Sequence, residues 1–195
     1  RNEKPPYSMQ WNLSVQYEFQ AQMLLDVAYA GSAGVSLPAS SEMNQLPDEA
    51  LALGVGLTRK VQNPFYGVLP ASTSLGKSTT TYGQLLRPYP WLTGLTHLWG
   101  NQAHSTYHAL QAKFRKRYGN GLQFLLAYTW SKMIDDVSSV CTFVGQQNPG
   151  YTNSNQKRLD KSLSALDMAH NLTFNYQWEL PFGRGRLWAR DGWAA

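Results

Sequence analysis

The chain holds 195 residues with a net charge of +5; 13% of them are aromatic, only 15% are charged, and the mean hydropathy is −0.40. Ordinary globular chains carry about 25% charged residues, so the polarity of this one comes from uncharged Gln, Asn, Ser, Thr and Gly. No stretch approaches the roughly 20 continuous apolar residues of a membrane-spanning helix, which excludes a helical membrane protein and leaves open a wall of strands apolar only at alternate positions.

The first element is read from a period of two. Trp11, Leu13, Val15, Tyr17 and Phe19 alternate with Gln10, Asn12, Ser14, Gln16 and Glu18. Successive strand side chains point to opposite faces, so 9–19 is predicted to be a strand with one apolar and one polar face. After a tight turn near Gln20-Ala21, a second strand is predicted over 22–31, with Met23, Leu25, Val27 and Tyr29 on its apolar face. The segment 32–103 reads as a long loop with weak helical character from Asp48 to Leu53. Pro88 and Pro90 exclude a central strand around Leu85–Pro90. Leu95, His97 and Trp99 begin a strand continuous with, or paired against, Tyr107–Tyr118.

The third strand, 104–118, alternates Leu110, Ala112 and Phe114 with Gln111, Lys113 and Arg115. Gly119-Asn120-Gly121 is a hairpin signal. It leads to a fourth strand, 121–133, whose apolar set is Leu122, Phe124, Leu126, Tyr128 and Trp130. A second long loop covers 134–168. The fifth strand, 169–180, alternates Leu172, Phe174, Tyr176 and Trp178 with Asn171, Thr173, Asn175, Gln177 and Glu179. Pro181-Phe182-Gly183-Arg184-Gly185 marks another short turn before a strand start near 187–195. The chain begins at Arg1 without an initiator methionine and stops at Ala195 as a new apolar run opens, so both ends are expected to be internal to a longer protein.

Each alternating run has the roughly 9–11 residues a tilted strand needs to cross a bilayer. Connections run short, long, short, long, short, the rhythm of outer-membrane barrels with tight periplasmic turns and large extracellular loops. The expected fold is all-β. It is an antiparallel meander of five to six strands, forming part of a large transmembrane outer-membrane β-barrel and left as an open curved sheet because so few strands cannot close. With the tight turns at the periplasm, Trp11, Tyr29, Tyr128 and Trp130 fall in an outer aromatic girdle. Tyr17, Phe19, Tyr118, Tyr176 and Trp178 then fall in an inner one. The apolar sets of the first and fourth strands should share one sheet face. In water without detergent such a sheet should aggregate.

Several residues are of types that serve chemistry elsewhere. Ala71–Ser78 fits a relaxed phosphate-binding loop, which needs a strand before it and a helix after it. Pro64–Pro70 precedes it and Thr79-Thr80-Thr81 follows, so nucleotide binding is not expected. His104 and His108 are four apart, roughly 13 Å on a strand, too far to share a metal. His170 reads as a solvated side chain at a strand start. Asp135-Asp136, Asp160 and Asp167 lack a convergent nucleophile and read as solvated loop acids. The basic run Lys113–Arg117 reads as charge at one end and on the water-facing side of a strand, not as a nucleic-acid patch. Cys141 has no partner thiol and no zinc-ligand spacing around it, and reads as an incidental loop residue. No catalytic, cofactor-binding or metal-binding residue is expected, and neither is an enzyme.

Several stretches in order resemble the barrel of TonB-dependent receptors of the Oar-like type. They are Gln10–Gln16, Asp26–Ser32, Asn63–Gly67, Gln84–Pro90, Tyr107–Gln111, Tyr128–Lys132 with Ile134-Asp135-Asp136, and Glu179–Gly185. The resemblance implies a barrel of about 22 strands, a plug domain outside this stretch of chain, and energy delivered through the TonB system. It further implies residence in the outer membrane of a Gram-negative-type bacterium and uptake of a large or scarce nutrient of unspecified kind. Two other functions fit the residues: an outer-membrane structural or adhesion barrel without active transport, and a soluble β-rich carbohydrate-binding module. The last should not present Trp11, Leu13, Val15 and Tyr17 outward on a long strand.

Overall fold

The computed structural model describes residues 4–20, 22–119, 121–137 and 150–181. Among them run the strands β1 (Tyr7–Phe19), β2 (Met23–Glu42), β3 (Lys60–Gln62), β4 (Thr79–Thr81), β5 (Thr96–Gly119), β6 (Leu122–Asp135), β7 (Ser162–Leu163) and β8 (His170–Trp178). A single helical turn, α1 (Tyr82–Leu85), and 3-10 segments at Asp48–Thr58, Ser74–Gly76 and Lys157–Asp160 complete the described elements. None of these helices is long and apolar enough to cross a membrane. The main sheet has the order β1-β2-β5-β6. Both β8 and β7 pair with β6 at its other edge, β8 along Leu122–Trp130 and β7 at Ile134 and Asp135. The fold is all-β in an open, mostly antiparallel sheet.

The chain divides into two compact units. The first, the wall unit, holds Met9–Ser32, Tyr107–Met133 and the described residues from Asp167 onward. Its strands are sorted into two faces. Antiparallel pairing sets Phe124 opposite Tyr176, Leu126 opposite Phe174 and Tyr128 opposite Leu172. Ring contacts carry the same face across the sheet: Phe19 to Phe114 at 6.4 Å, Phe114 to Phe124 at 5.6 Å, and Phe124 to Phe174 at 6.4 Å. The apolar sets of β1 and β6 therefore lie on one side. On the other side Gln16 donates to Asp26 at 3.2 Å, and Gln123 donates to Gln177 at 2.7 Å.

Among its described residues this unit has no hydrophobic core. Of the buried apolar residues among those described, only Ala109 belongs to it, whereas Leu13 and Tyr176 are 70% and 68% exposed. Leaving a large apolar side chain in water forfeits roughly 1.5–3 kcal/mol. A single layer with a continuous apolar face therefore requires an apolar solvent on that side. At the hairpins, Gln22 and Gly121 both take a left-handed φ, 61° and 75°. Glycine adopts this freely, while glutamine accepts about 1–2 kcal/mol of strain.

The second, the loop unit, holds the described residues up to Ser8, Ala33–Thr106 and the described part of Ile134–Leu166. Here the expected boundaries need correction. The loop predicted over 32–103 is shorter, because β2 runs to Glu42 and β5 starts at Thr96. Likewise β6 continues to Asp135, so the loop predicted from 134 starts later. Along the extension of β2, Val35, Leu37 and Ala39 still alternate with Gly34, Ser36 and Pro38, but the glycine and proline read as breakers in the sequence. Pro38 lies inside β2, where a proline is tolerated because β1 has 13 residues against 20 in β2 and leaves its far end uncovered. That end is met instead by Gly150 in a parallel bridge to Ser40. The helical expectation at 48–53 is a 3-10 run reaching Thr58, interrupted by Gly54 at φ 48°. A small core of Ala39, Ala103 and Tyr151, flanked by Leu37 and Val137, sits in this unit. The predicted strand start near 187–195, the turn after Pro181 and Cys141 lie outside the described residues.

Candidate functional site

Neutral amides organise the loop unit. Asn44, with no exposed surface, donates through its side-chain nitrogen to the carbonyls of Tyr89 and Leu92. Its side-chain oxygen accepts from the Tyr89 amide. The Glu42 carboxylate accepts from the Asn44 and Leu95 amides and the Thr96 hydroxyl. Burial alone would raise the Glu42 pKa; the backbone donors, Thr96 and the Arg87 charge overcome it and hold the carboxyl below its ordinary value. Arg87 in turn donates to the carbonyls of Asn44 and Thr93. A parallel arrangement fastens 150–160: Asn155, Asn153 and Gln156 all donate to Asp48 and lower its pKa. Asn and Gln side chains thus fasten the described loop segments.

One open cavity of about 550 Å³ lies in this unit, lined by His104, Ser105, Thr106, Asp135, Asp136, Arg158 and Lys161 among others. The Asp136 carboxylate accepts from the His104 amide at 2.7 Å and faces the His104 ring at 3.3 Å. The Tyr151 hydroxyl donates to the Gln102 carbonyl, and its pKa is raised by burial and by the nearby Asp136 and Asp160 charges. The cavity thus presents both signs of charge on a fixed frame. That combination suits holding a polar solute.

The residues singled out in the sequence scatter. Ser74–Gly76 forms a 3-10 turn with the Gly76 backbone packed on Pro70, where a Cβ would come within 2.0 Å of the carbonyl oxygen. Asn63 ties down the carbonyls of Leu75 and Lys77, and the segment runs into strand β4, not into a helix. The cradle for a phosphate is thus not formed. His104 engages Asp136, whereas His108 stacks on Tyr29 at 14° and shares a hydrogen bond of 2.7 Å with its hydroxyl. Among the described residues no group of three or more potential metal ligands converges. Asp160 accepts from the Thr152 amide, and Asp167 from the Met133 amide. These acids cap loop backbone rather than standing free in solvent. His170 is not simply solvated either: it stacks on Tyr128 at 17° with a 2.8 Å hydrogen bond, repeating the Tyr29–His108 pair on another strand pair. Sequence reasoning missed both pairs, since a histidine across a strand from a tyrosine is visible only once the register is known.

On the apolar face Trp11 packs against Gly31, where an added Cβ would meet its ring at 2.4 Å. The glycine gives the indole a seat across the strand pair.

The whole chain, residues 1–195, matches the family model described as an outer membrane beta barrel domain. No curated protein and no solved structure matches it.

Proposed function

Because the chain belongs to the outer membrane β-barrel domain family, we propose that it forms wall and extracellular loops of a TonB-dependent outer-membrane transporter that takes up a large or scarce nutrient. The observation that carries the wall assignment is the ribbon of aromatic contacts from Phe19 to Phe174 on a sheet with no core behind it. Lipid covers that face, and a water-filled lumen meets the Gln- and Asn-rich one. The transport assignment draws support from the ordered resemblance to Oar-like receptors and from loops held by a polar frame around a charged cavity. On this reading the protein resides in the outer membrane of a Gram-negative-type bacterium. It binds without chemistry, and it draws energy through a plug domain and the TonB system.

The alternative is a structural or adhesion barrel. In-cell cross-linking of the full-length protein distinguishes them. A receptor is expected to give a covalent adduct with TonB that disappears when the proton gradient is collapsed. A protein found in the outer membrane with no adduct under any condition would remove the transport reading and leave the structural one.

A further inference from the structure

On the polar face of the wall unit the charges are unevenly placed. β5, between β2 and β6, carries Lys113, Arg115 and Arg117 at successive alternate positions. Alternate residues on a strand stand roughly 7 Å apart on one face, so the three cations form a line. The neighbours that β6 and β8 bring to this face beside it are Gln123, Leu125, Asn175 and Gln177, none of them charged. The acids on this face are Glu18 on β1 and Asp26 on β2, with Glu179 just past the end of β8. Asp26, on the strand paired with β5, accepts from Gln16 through Oδ2, and its buried Oδ1 has no hydrogen-bond partner. Among the described residues none of the three cationic side chains makes a hydrogen bond or an ion pair, although each has donors suited to one. Arg115 and Arg117 line, with Gln123, Asn175 and Gln177, an open groove of about 460 Å³.

Unpaired cations are not needed to build a strand. β-propensity favours branched and aromatic residues, and like charges two apart repel. A line of them against a low-dielectric wall focuses the field and raises the local concentration of anions. Charged side chains lining a pore set its selectivity in the same manner, Arg and Lys favouring anions. Guanidinium groups add bidentate geometry for carboxylate and phosphate oxygens, and the neighbouring amides supply further donors. We propose that Lys113, Arg115 and Arg117 form an oxyanion-binding stripe on the lumen wall, taking solutes that carry phosphate or carboxylate groups. The proposal rests on the barrel-wall reading, but not on TonB or on transport.

The test uses the full-length protein in outer-membrane vesicles, with Cys141 and any other native cysteine replaced by serine and Asn175→Cys as a reporter in the groove. Two methanethiosulfonates of similar size, one bearing a sulfonate and one a trimethylammonium, modify the thiol. Their rates are normalised to those with a free thiol in solution. The anionic reagent is expected to be favoured about tenfold, the low end of such focusing. Adding Lys113→Gln, Arg115→Gln and Arg117→Gln should bring the ratio to near one, whereas Arg115→Lys with Arg117→Lys should keep most of it. Millimolar pyrophosphate should slow modification in the parent and not in the neutralised variant. A heat-modifiable gel shift checks folding. If the triple variant does not fold, Arg115→Gln alone should give an intermediate ratio. A ratio near one in the parent, or one unmoved by neutralisation, overturns the stripe. Failure of both reagents at Asn175→Cys alongside labelling at Phe174→Cys would show the faces reversed, and so overturn the wall reading itself.

Discussion

At the scale of single residues, what holds the described loops is satisfaction of buried polar groups. Asn44 is the clearest case. Its side chain closes three hydrogen bonds to the backbone of Tyr89 and Leu92, and its own amide is taken by Glu42. Replacing it by alanine leaves buried donors and acceptors unmade, at about 1–3 kcal/mol each. Asn44→Ala is therefore expected to raise hydrogen exchange at Tyr89 and Leu95 by roughly 30-fold or more, while amides of β1 and β8 keep their protection. Unchanged exchange at Tyr89 would show that the asparagine does not hold the loop. In the sequence this residue sits unremarked in Glu42-Met43-Asn44-Gln45. Nothing local separates an asparagine that solvates a loop from one that organises it, because its partners lie more than 40 residues away.

At the scale of elements, strand existence was legible where one face is greasy. The alternation in Trp11–Phe19 and Leu122–Trp130 places β1 and β6 and sorts their faces. Strand ends were not legible. Gly34-Val35-Ser36-Leu37-Pro38-Ala39 in β2 keeps apolar residues at alternate positions, Val35, Leu37 and Ala39, but its glycine and proline read as breakers. The hub of loop contacts at Glu42 and Asp48 adds a pH dependence. Both carboxyls have folded pKa values below their ordinary 4.5 and 3.8. Their contribution to loop stability is thus complete above those values and is lost as pH falls through the lower folded ones. Limited proteolysis of the loops in detergent-held protein should accelerate as the pH is taken from 5 toward about 3, with strands of the wall unit resistant throughout. Glu42→Gln should flatten part of that dependence. Loop cleavage independent of pH across this window would remove the carboxylates from the account.

At the scale of the whole molecule, the wall unit inverts the usual rule for a domain. Its apolar side chains point out, its aromatics touch across strands on an exposed face, and Ala109 alone among its described apolar residues is buried. Such a layer is stable only with hydrocarbon on one side and water on the other, which is the environment its family occupies. Composition announced this: few charges, many aromatics and many neutral amides divide cleanly between two solvents. The central claim is that β1 crosses a bilayer with its odd-numbered residues in lipid. The most direct measurement places a nitroxide at each position from 10 to 19, one at a time, in the full-length protein in outer-membrane vesicles, and reads collision with oxygen and with a water-soluble nickel chelate. Positions 11, 13, 15, 17 and 19 should favour oxygen and positions 10, 12, 14, 16 and 18 the chelate, alternating at a period of two. Equal access of the chelate to both sets, or a period near 3.6, would contradict the account.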